Sequence, residues 1–177
     1  MTMLKPRVML IVTMIAAAAA SRLIPHPPNM TSIAAMALFG GATLTDKRLA
    51  FLVPLAALFA SDLVLGFHNQ MFAVYGSFAM IVCIGLWLQG RRTVLSITGA
   101  AIASSLLFFI VVDFGIWLAG DMYPRTFAGL VACYTMALPF LRNQVAGDLL
   151  YTAALFGGFA LLERRFPVLK RTPPMPA

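Results

Sequence analysis

Charge is scarce in this chain, and negative charge most of all. Asp and Glu number 6 against 13 Lys and Arg, and charged residues together make up 11% of the sequence, where a soluble domain averages about 25%. Such a composition excludes an ordinary water-soluble globule. Cysteine and histidine are equally few, two of each, which excludes a disulfide framework and leaves no CxxC pair. Cys83 and Cys133 are expected as buried apolar thiols. The GxSxG, HExxH and paired catalytic patterns are missing too. An intramembrane hydrolase would have to pair Ser104 or Cys133 with a histidine without any such motif, so an enzyme is not expected.

What the chain has in abundance is apolar surface. Hydrophobic residues make up 61% and mean hydropathy is +0.90, which marks an all-α integral membrane protein. At about 20 residues per span, 177 residues hold six transmembrane helices in one compact bundle and no separate soluble domain. The bundle is expected over residues 1–165, with a disordered tail over 166–177 that ends in RTPPMPA. The net charge of +7 would suggest nucleic acid in a soluble protein. Here the bases flank apolar spans, so the expected partner is the lipid bilayer and not nucleic acid.

Lys5 and Arg7 precede the first apolar run, Val8 to Ala20, whose five closing alanines allow close helix packing. The same run has the form of a signal peptide, but apolar character resumes directly after it, which favours a retained helix. SRLIPHPPN, residues 21–29, cannot be helical with three prolines in four positions, and it holds His26 on a stiff loop. Thr31 to Leu44 is a short span closed by Gly40 and Gly41; short or glycine-interrupted spans often border a binding cavity, and tight helix contact at the glycines explains them equally well. Leu49 to Leu65 is the third span, kinked by Pro54. Met71 to Gln89 is the fourth, and Val94 to Ala119 is long enough to cross with tilt. Phe127 to Leu138 is expected as an extra short helix stopped by Pro139. The last span follows within Leu138 to Arg165, where Gln144, Asp148, Tyr151 and Leu155 share one face.

Ten bases (Lys5, Arg7, Lys47, Arg48, Arg91, Arg92, Arg164, Arg165, Lys170 and Arg171) fall at one set of span ends, against Arg22, Arg125 and Arg142 at the other. By the positive-inside rule the ten mark the cytoplasm, and both termini lie inside. His26, Asn29, Asp62, His68, Tyr75, Asp113, Tyr123, Arg142, Asn143 and Asp148 then gather toward the outer half as candidate binding residues around an outward-facing pocket. Asp62, Asp113 and Asp148 carry the strongest argument, because a carboxylate inside a membrane is costly and needs a reason. One reason is structural ion pairing, with Arg142 as the nearest base. Another is a polar ligand, with Tyr75, Trp117, Tyr123 and Tyr134 as flat surfaces. A third is a proton or cation path.

RLIPHPPNMTSIAAMALFGG, PLAALFASDLVLGF, DFGIWLAGDMYPRTFAGLVACYTMALPFLRN and GDLLYTAALFGG together resemble a family of bacterial membrane proteins similar to the S-components of energy-coupling-factor vitamin transporters. That resemblance implies six helices in the bacterial cytoplasmic (inner) membrane and uptake of a vitamin-like molecule from an outward cavity, with no cofactor. It also implies a transmembrane coupling protein with ATPases as potential partners. The nearest functional analogy is to solitary cobalamin-uptake S-components, which makes cobalamin the leading candidate ligand and His26, His68 or Cys83 the available cobalt donors. ALFGG occurs twice, at Ala37–Gly41 and Ala154–Gly158. Together with the alanines of the first helix, these glycine pairs would offer a small-residue surface for a coupling partner or for packing within the bundle.

Overall fold

A computed structural model describes residues 5–170. Among these every regular element is helical. Pro6–Ala20 forms α1, which starts with a proline at its first position, where the missing N–H has no helical partner to lose. A 3-10 turn, Ser21–Leu23, ends it. Ile33–Thr43 is α2 and Lys47–Leu65 is α3, opened by Asp46, whose side chain accepts from the Arg48 N–H. Met71–Trp87 is α4. Val94–Ala119 is α5, which begins with a reciprocal capping box between Thr93 and Ser96. Phe127–Thr152 is α6, capped by the Thr126 side chain. A π turn, Ala153–Gly157, joins it without a break to α7, Gly158–Arg165.

The centre of the bundle is α2. All of its 11 residues are buried, and it packs against α1, α3, α4, α5 and α6. A helix apolar on every side can only be stable inside such a shell. At 1.5 Å per residue it is about 16 Å long, roughly half the hydrocarbon thickness. Its closest neighbour is α4. A Cβ on Gly41 would stand 2.4 Å from the Val82 carbonyl oxygen and 2.9 Å from Gly85 Cα, and one on Gly85 would stand 2.4 Å from the Leu38 carbonyl oxygen. Both positions therefore exclude any side chain. Phe39 closes the other flank, edge-on to Phe156 and Phe159 with ring centroids 5.2 and 5.5 Å away.

Four helices are long and apolar enough to cross a membrane: Pro6–Leu23, Lys47–Leu65, Val94–Ala119 and Phe127–Arg165; α2 and α4 are shorter apolar helices. The protein is thus helical and membrane-type. The separate short helix expected over Phe127 to Leu138 does not form. Pro139 lies inside one helical run of 39 residues. Proline removes one backbone bond, here the one the Thr135 carbonyl would accept, but ending a helix in lipid would strand several, so membrane helices carry internal prolines. The tail also departs from expectation at its start. Pro167–Leu169 makes a 3-10 turn with Leu169 buried, and the Leu169 carbonyl accepts from Arg7 Nη1 at 2.6 Å. The rest of the expected disordered tail, with Arg171, lies outside the described residues.

Arg7 also pairs with Glu163 and lies 4.9 Å over the Phe159 ring, which ties the start of α1 to α7. At the same end Gln89 Nε2 donates to the carbonyls of Gly41 and Leu44, both at 2.8 Å. These contacts gather the basic ends of α1, α4 and α7 around the C-terminus of α2. The N-terminus of α2 points the opposite way, toward the candidate site.

Candidate functional site

Because α2 stops half-way, the space beyond its first turn is not filled by helix. Thr31, Ile33 and Ala34 face a cavity there of about 240 Å³. Asn29 and His68 come from flanking loops, Gln70 and Val74 from the start of α4, and Gln144 and Asp148 from α6. One wall is α5, with Phe108, Phe109, Val112, Asp113 and Ile116. A second chamber of about 270 Å³ shares Asn29, Asp113 and Ile116 with the first and adds Met122, Tyr123, Cys133, Met136, Ala137 and Phe140. Three residues therefore border both chambers. Asn29 is the one non-glycine residue with positive φ, 62°, among those described, a conformation that asparagine tolerates better than most.

The two intramembrane carboxylates on the first chamber differ in what they touch. Asp148, 2% exposed, accepts from Ser105 Oγ at 2.7 Å and lies in electrostatic reach of the Ala35 backbone N–H in the first turn of α2. Ser32, at the N-cap of α2, makes no side-chain cap, and its hydroxyl donates to the Ala18 carbonyl at 2.5 Å. Asp148 thus presents, from α6, the acceptor group that the start of α2 lacks. Gln144, one turn earlier, donates to the Ser105 carbonyl at 3.0 Å and holds the same crossing. Asp113 is half-buried, and its carboxylate has no hydrogen-bond or ion-pair partner among the described residues. Its backbone carbonyl receives Cys133 Sγ at 3.5 Å.

Asp62 takes no part in either chamber. Arg22 Nη1 donates to Asp62 Oδ1 at 2.8 Å and to Ser61 Oγ, and the Tyr75 hydroxyl donates to Asp62 Oδ2 at 2.9 Å. The ion pair expected with Arg142 is instead made with Arg22. Arg142 is exposed and lines neither chamber, because its place on α6 lies off the Gln144–Asp148 face. Asn143 is engaged with the Pro28 carbonyl at 3.1 Å, which pins the proline loop to α6.

The candidate residues therefore fall into three groups. Asn29, His68, Asp113, Tyr123 and Asp148 come together on the chambers. Asp62 and Tyr75 form a clasp with Arg22. His26, Arg142 and Asn143 lie outside both groups, and the exposed His26 ring bonds through Nδ1 to the carbonyl of Ile24 at 2.6 Å. Cys133 is buried as expected, but Cys83 is exposed and sits in a surface groove between α4 and α5 with Trp87 and Gly99. It is neither core packing nor a pocket floor. Gln70, Gln144 and the Phe108–Phe109 pair were not among the candidates. Only Gln144 carried a signal, its position on the Asp148 face.

The class these features define is a helical membrane protein with an internal chamber above a half-length central helix. The chain belongs to a family of unknown function, DUF6580, whose model matches residues 2–169. No curated protein matches it, and no solved structure does.

Proposed function

We propose that this protein binds a compact, vitamin-like small molecule in the paired chambers and serves its uptake across the bacterial cytoplasmic membrane, as S-components do. In this reading the chain makes six passes, with α2 and its extended leader acting together as one, and both termini are cytoplasmic. The observation that carries it is the position of the chambers. They lie at the end of α2 opposite the basic cluster, so the positive-inside rule turns them outward. Internal cavities of this kind, mostly apolar with a few convergent polar groups, are the usual form of a small-molecule site.

The size of each chamber, near the lower limit of such sites, favours a compact ligand over cobalamin, because a corrinoid is larger than either. Of the three cobalt donors considered, only His68 reaches a chamber. Cobalamin binding would require the chambers to open. Gly40 and Gly41 are consumed by contacts inside the bundle, so they offer nothing to a coupling protein. The shallow groove of Ala16, Ala20, Ala57 and Ala60 between α1 and α3 and the exposed face of the second ALFGG copy around Gly157 are small-residue surfaces that stay open for that role.

Two aspartates on one chamber also support a second reading, a proton or cation path. Mass spectrometry of the protein purified from its membrane, followed by flux in proteoliposomes, separates the two. A copurified small molecule that is taken up supports the uptake reading. Ion flux with no bound molecule overturns it in favour of the path.

A further inference from the structure

We infer that the ligand of these chambers is a small organic cation, with the Asp113 carboxylate as its counter-ion. The inference rests on the uptake reading above and adds the charge of the molecule. Lys and Arg outnumber Asp and Glu by 13 to 6 in the sequence, yet Asp113 lines both chambers, Asp148 lines the first, and neither lining contains lysine or arginine. Such a segregation makes the interior negative within a positive protein.

The positive end of α2 also faces the first chamber and would by itself favour an anion. Asp148 already answers it, bonded to Ser105 and in electrostatic reach of the Ala35 N–H. That leaves Asp113, which lines both chambers, as the charge with no hydrogen-bond or ion-pair partner among the described residues. A ligand with one positive centre in either chamber would supply it. Phe108 and Phe109 in the lining of the first chamber add to this preference, since aromatic rings attract cations. A bound metal ion fits less well, because no group of three or more His, Cys, Asp or Glu is placed to hold one among the described residues.

The test uses the full chain in detergent and matched probes: choline with its uncharged carbon isostere, and phenylethylammonium with phenylethanol and phenylacetate. Calorimetry and thermal shift should show binding of at least one cation and none of its neutral or anionic partner. Asp113→Asn should weaken that binding about tenfold or more without lowering the melting temperature, and Asp113→Glu should recover part of it. Failure of both cations to bind overturns the inference, as does equal binding of the neutral or anionic probes, or unchanged cation affinity in Asp113→Asn. A neutral or anionic molecule that copurifies and is taken up would refute the charge assignment alone and leave the uptake reading standing. Cation binding without uptake would do the opposite.

Discussion

Arg22 and Asp62 form an ion pair at 2.8 Å with side chains 10% and 2% exposed, and it joins the turn after α1 to the last turn of α3. The Tyr75 hydroxyl occupies the second carboxylate oxygen and brings α4 into the same contact. Removing one member of a buried pair strands the other, at a cost of about 3–5 kcal/mol. Arg22→Ala should therefore lower the melting temperature sharply, and the double change to Arg22→Leu with Asp62→Leu should restore much of it. If the single and double variants melt together, the pair is not holding these helices.

Asp148 and Arg142 should separate cleanly, although they sit on the same helix. Asp148→Ala removes the acceptor that serves Ser105 and is presented to the start of α2, a loss of about 2 kcal/mol by the usual worth of caps and charged hydrogen bonds. Arg142→Ala, at an exposed position, should change stability by no more than about 0.5 kcal/mol. Comparative denaturation in one detergent measures both. A larger effect at Arg142 than at Asp148 would contradict the geometry.

The sequence made some of this legible and hid the rest for a physical reason. The shortness of the Thr31 to Leu44 span pointed to a cavity border, while its glycines, Gly40 and Gly41, mark tight helix contact at the opposite end, and the face carrying Gln144, Asp148 and Leu155 was readable because polar groups break the apolar pattern on α6. On α4 the polar breaks, Tyr75 and Ser77, fall in its first half, and none flanks Cys83 from Phe78 to Trp87. Lipid is as apolar as a protein core, so a uniformly hydrophobic helix does not reveal which side is buried, and Cys83 could not be assigned to the outer face. Arg22 was legible only as a base at a span end, because its partner on α3 is distant in sequence.

The proposed orientation leads to a labelling experiment. In a variant with Cys83 and Cys133 replaced, a cysteine at position 26 should react with a membrane-impermeant maleimide from outside intact cells, and one at position 47 only after permeabilisation. Both sites are exposed, so accessibility in the folded protein does not limit either reaction. The reverse pattern would turn the chambers toward the cytoplasm and remove the basis for uptake.

The repeated pentapeptide ALFGG offers a controlled comparison of identical local sequence in two environments. At its first copy a Cβ on Gly41 would meet the Val82 carbonyl oxygen at 2.4 Å, whereas at the equivalent position of the second, Gly158, a Cβ would meet only Met14 Cε at 3.7 Å, an ordinary contact. Gly41→Ala must therefore push α2 away from α4 along backbone that cannot yield cheaply, with a cost of about 1–3 kcal/mol for overpacking. Gly158→Ala should be neutral, or stabilising by about 0.5–1 kcal/mol through the helix preference of alanine. Because α2 forms one boundary of the first chamber, Gly41→Ala should also weaken whatever ligand the chamber binds, and Gly158→Ala should not. Paired melting and binding measurements test this. Equal effects of the two substitutions would mean that the α2–α4 contact is looser than the backbone approach at Gly41 and Gly85 requires.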